Sequence, residues 1–105
     1  VRGNCDFSRE VPSELIIEKE GKKIFLTHGH NYNVKSDYTN IYFKGLQEGA
    51  DVVLFGHTHW PDVFEKDNIL FLNPGSISMP RRGRETYGLL IIEGGQIFGN
   101  IVEFI

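Results

Sequence analysis

The chain has 105 residues, 40% hydrophobic and 24% charged, with a formal net charge of −3 and a single cysteine. This is one domain at most, with a modest core, and its balance is that of a folded globular protein rather than a disordered or fibrous one. The negative charge argues against a nucleic-acid polymer or an anionic membrane surface as the main partner. No apolar run nears the roughly 20 residues that cross a bilayer, and one cysteine closes no intrachain disulfide, so a cytoplasmic setting is the default expectation.

In chain order, Val1-Arg2-Gly3-Asn4-Cys5-Asp6 reads as a strand end running into a loop. Gly3 allows a tight bend, and Asn4 and Asp6 offer oxygens to backbone amides or to a metal. Val1 is not an initiator methionine, and these residues are expected to be the back part of a longer protein. Glu14–Lys19 and Lys22–Thr27 read as a hairpin around Glu20-Gly21, the second arm carrying Ile24-Phe25-Leu26. That arm runs into Thr27-His28-Gly29-His30. Asn31–Lys35 is polar and expected to be loop. Ser36 is a candidate N-cap and Asp37 favours a helix start. Tyr38, Ile41, Tyr42 and Leu46 then fall at helical spacing, and Gly49 supplies the stop.

Asp51–Phe55 is expected to be a buried strand ending in Gly56-His57-Thr58-His59-Trp60-Pro61. Pro61–Glu65 and Ile69–Asn73 read as a second hairpin over Lys66-Asp67-Asn68, followed by a turn at Asn73-Pro74-Gly75-Ser76. Met79–Arg84 is a basic loop containing Pro and Gly. Thr86–Ile92 and Gln96–Phe104 close the chain as a hairpin through Gly94-Gly95. The fold class is α/β, strand-rich, with one clear helix. Several strands look apolar on both faces, which calls for covering layers on both sides.

All four histidines sit in two His-x-His pairs, each following an apolar strand. In an extended chain, residues i and i+2 point the same way, so His57 and His59 are expected to aim both rings into one cavity. Imidazole is a preferred ligand for zinc, manganese, iron and nickel, and strand carboxyl ends are where open α/β sheets place their sites. Four bland readings stand beside this one. Asn4 alone is a turn residue, Cys5 is an inert thiol rather than a thiolate ligand or nucleophile, and Arg81, Arg82 and Arg84 are solvated or meet a phosphate. Trp60 is a pocket wall or simple packing.

Gly3-Asn4-Cys5-Asp6, His28 after a strand, Gly56-His57-Thr58-His59 and Asn73-Pro74-Gly75-Ser76, in that order, resemble the later half of a calcineurin-like metallophosphoesterase. The similar branch is the small bacterial and archaeal phosphodiesterases, which are themselves similar to the metallophosphoesterase-fold subunit of retromer. The resemblance implies two β-sheets forming a sandwich flanked by helices. It also implies two divalent metal ions, manganese first, with zinc, iron or nickel as alternatives. Asn4, His28 and His57 would ligate one ion and His59 the other. The pair, about 3.5–4 Å apart, would activate water and stabilise phosphoryl oxygens, giving His28 and His57 their catalytic part.

Two departures stand out. Many relatives carry a histidine after the motif asparagine, where this chain has Cys5, which leaves the general acid unassigned. The family's earlier Asp-x-His and Gly-Asp motifs do not occur ahead of Gly3. Residues 1–105 are therefore expected to be the C-terminal portion of a single metallophosphoesterase domain.

The function expected is metal-dependent hydrolysis of a small phosphate ester, a phosphodiester foremost, with His30 and Arg81 as substrate contacts. The alternative is a non-catalytic protein-interaction module on the same fold. No nucleic-acid polymer and no membrane are expected as partners. Because the missing strands would leave an apolar face exposed, self-association is.

Overall fold

Three apolar segments form the centre of the molecule: β2 (Lys22–Thr27), β3 (Val52–Leu54) and β5 (Ile69–Asn73), which run parallel to one another. The computed structural model describes residues 14–76 and 85–104. Antiparallel arms extend this centre on both sides. β1 (Glu14–Lys19) pairs with β2 and β4 (Asp62–Lys66) with β5, giving the order β1-β2-β3-β5-β4. A second sheet consists of β6 (Thr86–Glu93) and β7 (Gln96–Glu103).

The hairpins follow from turn chemistry. Glu20-Gly21, Asp67-Asn68 and Gly94-Gly95 all take left-handed φ values, the conformation that matches the twist of a two-residue hairpin. The expected three-residue turn at Lys66-Asp67-Asn68 is one residue shorter, because Lys66 pairs with Ile69 inside the ladder.

Register explains the two faces. Phe25, Val53 and Phe71 lie in one row across β2, β3 and β5, and Leu26, Leu54 and Leu72 in the next. Neighbours along a strand point to opposite sides, so the aromatic row faces one way and the leucine row the other. The aromatic row joins Val34, Ile41, Ala50, Phe55 and Ile69 in the core beneath the helix α1 (Thr39–Glu48). Phe64 stacks on Phe71 at 4.9 Å between ring centres, and Tyr38 stacks on Phe64 at 5.5 Å. The leucine row faces the β6–β7 hairpin, whose backbone at Gly99 comes against Leu70, Leu72 and Val63. Each face therefore has a covering layer. The hairpin covers only the β4–β5 end, however, and Leu26 and Leu54 stay half-buried along an apolar cleft of about 310 Å³.

The helix differs from expectation in two ways. Ser36 is not its N-cap: the Ser36 hydroxyl bonds Asn33 Oδ1, Tyr38 occupies the cap position, and Asp37 Oδ1 accepts the Thr39 N–H at 3.0 Å. Leu46 is exposed, and Gly45 faces the sheet in its place. A Cβ on Gly45 would stand 3.0 Å from Val53 Cγ2, so the bare backbone lets the helix sit close. Gly49 ends the helix as expected, in the left-handed conformation with its N–H on the carbonyls of Gly45 and Leu46. Overlapping the start of the Asn31–Lys35 segment expected to be loop, His30–Tyr32 forms one 3₁₀ turn. No described helix is long and apolar enough to cross a membrane.

Candidate metal centre

Because β2 and β3 are parallel neighbours, their carboxyl ends lie side by side, and with them the two His-x-His segments. The Gly56 N–H donates to the His28 carbonyl at 2.8 Å, fastening one histidine turn to the other. The Gly29 N–H bonds Thr27 Oγ1, and the Tyr32 N–H bonds the Gly29 carbonyl, which closes the 3₁₀ turn over His30.

Three rings meet there. The centres of His28 and His57 are 5.0 Å apart and edge-on, His28 and His30 are 5.1 Å apart, and His30 and His57 are 6.2 Å apart. Nδ1 of His28 and Nδ1 of His30 share a hydrogen bond of 3.1 Å, one ring donating and the other accepting. His59 follows, half-buried. The described residues gather no set of three His, Cys, Asp or Glu side chains that could hold a metal by themselves. Nitrogen donors of the right kind are clustered, and further ligands are required to close a centre. Asn4, Cys5 and Arg81 lie outside the described residues.

The segment carrying His57 and His59 is not extended, which corrects the expectation from strand alternation. β3 stops at Leu54, and both histidines adopt left-handed backbone conformations, φ +71° for His57 and +59° for His59. Such values are uncommon outside glycine, cost of order 1–3 kcal/mol each, and concentrate at functional sites. Surrounding bonds hold them. The Thr58 N–H reaches the Gly56 carbonyl at 2.9 Å, and Thr58 Oγ1 accepts from the Trp60 N–H at 3.1 Å and from Asn73 Nδ2 at 2.8 Å. Asn73 is fully buried at the end of β5 and also receives the Gly75 N–H on Oδ1.

Asn73 is the residue at the histidine turn that sequence reasoning missed. Its motif was visible as Asn-Pro-Gly-Ser, but only the packed structure shows the amide reaching back to the histidine turn. Beside that turn opens a cavity of about 700 Å³, walled in part by Trp60, Tyr38 and Thr58. Burial, and then the neighbouring Asp62 carboxylate, holds the Tyr38 hydroxyl above its ordinary pKa. Trp60 is therefore a pocket wall, the question its sequence position left open.

Parallel central strands whose carboxyl ends bring imidazoles together beside a pocket follow the usual placement of sites on a mixed α/β scaffold. The chain belongs to the calcineurin-like phosphoesterase superfamily, whose domain model matches residues 1–95. It is 40% identical over 94 residues to the Bacillus subtilis protein named probable metallophosphoesterase YsnB, covering 89% of this chain and 56% of that one. It is 35% identical over 101 residues to phosphodiesterase YfcE of Escherichia coli, covering 86% of this chain and 50% of the relative. Among solved structures, a predicted phosphoesterase from Streptococcus pneumoniae superposes with a TM-score of 0.90 at 33% identity, over 98% of this chain and 60% of that one. The chain thus spans between half and three fifths of the length of these proteins.

Proposed function

We propose that the protein carrying this chain is a metal-dependent phosphodiesterase acting on a small phosphate ester. The observation that carries the reading is the meeting of His28 and His57 at the ends of two parallel strands, ring centres 5.0 Å apart. His28 and His57, with Asn4, would hold one divalent ion and His59 a second. Manganese is proposed first on the family resemblance, while the imidazole-rich donor set suits zinc, iron or nickel as well. When bound, the ions supply Lewis acidity toward the phosphoryl group and toward water. The protein's own part is to present neutral nitrogen donors that leave the site positive for an anionic substrate. It also holds His57 and His59 in strained, fixed positions through Asn73 and Thr58. The relatives named as phosphodiesterase and metallophosphoesterase support the same chemistry. Arg81 is proposed as a substrate contact, and the cytoplasm as the place of action.

The test is hydrolysis of bis-p-nitrophenyl phosphate with added Mn²⁺, on this chain and on a version extended at its N-terminus. Hydrolysis by the extended protein that His57→Ala abolishes is the expected result. Hydrolysis that survives His57→Ala overturns the ligand assignment. A folded extended protein with no activity turns the reading to the protein-interaction module.

A further inference from the structure

The cavity beside the histidines has a composition that the phosphoester chemistry does not need. Its walls include Val34, Lys35, Tyr38, Thr58, Trp60 and Asp62, and its volume of about 700 Å³ falls within the size range of small-molecule sites. Both walls continue directly into the histidine turns. Thr58 stands between His57 and His59, and Val34 lies against Gly29, the residue between His28 and His30. The cavity therefore adjoins both histidine turns.

We propose that this cavity recognises a flat aromatic or heteroaromatic group carried by the substrate, with Trp60 as the stacking surface. Trp60 is 48% exposed, an indole about half in water on the rim of a cavity adjoining the site. Stacking against a planar ring would remove that apolar surface from water, which an extended polar substituent would not. Tyr38 is not a competing platform, because its ring is stacked on Phe64 and edge-on to Phe55. Lys35 places an exposed ammonium on the same lining, suited to an anionic group attached to the ring. Asp62 is already engaged by the Tyr38 hydroxyl. The lining thus combines the Trp60 face with a mixed set of charges, Lys35 beside the Asp37 and Asp62 carboxylates, so the recognition proposed is of the ring rather than of its charge. The proposal rests on the phosphodiesterase reading for the location of the phosphate.

Trp60 is the only tryptophan of the chain, so its fluorescence reports on the cavity without any turnover. Titration with adenosine 5′-monophosphate, phenyl phosphate and ribose 5-phosphate, with Trp60→Phe as the background, is the direct test. Saturable quenching by either aromatic ester and none by ribose 5-phosphate is expected. A response to the adenosine ester alone identifies a nucleobase, and one to phenyl phosphate alone identifies a simple aryl group. No response to either, or an equal response to ribose 5-phosphate, overturns the proposal. In turnover, Trp60→Ala should raise KM for bis-p-nitrophenyl phosphate about tenfold with kcat little changed, and Trp60→Phe should restore it. Unchanged KM in Trp60→Ala also overturns it. Ring-dependent quenching in a protein that hydrolyses nothing would sink the phosphodiesterase reading and leave the pocket standing.

Discussion

The side-chain amide of Asn73 donates to Thr58 Oγ1 at 2.8 Å, so the end of β5 holds the turn that carries His57 and His59. Two left-handed histidines flanking one threonine are a strained arrangement, and the strain persists only if neighbouring bonds over-determine it. Asn73 supplies those bonds from a fully buried position, and the same side chain orders the turn at Gly75.

Asn73→Ala should therefore destabilise the protein by about 1–3 kcal/mol, since it strips partners from Thr58, Gly56 and the Gly75 N–H together. Asn73→Asp keeps the acceptor for Gly75 but loses the donor to Thr58, and should remain destabilised. Urea unfolding midpoints read both. A wild-type midpoint in Asn73→Ala would show that the turn does not depend on this residue.

Gly75 adopts φ +78°, and a Cβ there would stand 2.1 Å from Thr86 Oγ1 and 3.1 Å from the Pro61 ring. Gly94 is also left-handed, with φ +57°, but nothing lies within 4 Å of its missing Cβ. Gly94→Ala should cost roughly 1 kcal/mol, the backbone penalty alone, whereas Gly75→Ala adds a collision worth a further 1–3 kcal/mol or so. The Thr86 hydroxyl cannot simply turn aside, because it donates to the Pro74 carbonyl at 2.8 Å. Thermal unfolding of the two variants side by side separates strain from clash. Equal losses would contradict the close packing at Gly75.

Two tyrosines give the fold a sensitivity to alkali. The Tyr32 hydroxyl bonds Glu14 and is held above the ordinary 10.0, by burial first and then by that carboxylate. Tyr38 is raised by burial and then by Asp62. A phenol whose folded pKa exceeds its unfolded one stabilises the fold fully below the unfolded value and loses that contribution as pH rises toward the folded one. Stability should thus be flat in this respect up to about pH 10 and fall above it. Tyr32→Phe, though less stable at neutral pH, should show a shallower fall. Urea midpoints between pH 8 and 11.5 check this, and parallel curves for the two proteins would count against it.

Much of this was legible in the sequence because local signals and burial agreed. The hairpin at Glu20-Gly21, the Gly49 helix stop and the buried strand before Gly56 each combine a turn residue with an apolar run, and each formed where expected. The errors came where tertiary packing outvoted local preference. Leu46 fits the helical stripe, yet Gly45 faces the sheet because Val53 leaves no room for a side chain. His57 and His59 share a parity that places them together in a strand, yet bonds from Asn73 and Thr58 bend their backbone out of the extended form. A residue pair 15 positions apart cannot be read from a local pattern.

The last prediction concerns the apolar surface. Leu15, Ile16 and Ile17 on the edge strand β1 are 40%, 47% and 43% exposed, and Leu89, Ile91 and Phe98 are exposed on the β6–β7 hairpin, Ile91 directly opposite Phe98. Among the described residues β1 is an edge strand, and three consecutive exposed apolar residues there are sticky, whereas natural edges usually carry a charge to prevent pairing. This 105-residue chain should therefore elute from size exclusion earlier as its concentration rises. Ile16→Lys tests the strand edge and Phe98→Lys the hairpin face. Whichever variant restores a concentration-independent monomer identifies the contact, and a wild-type monomer throughout the micromolar range would show that neither surface associates.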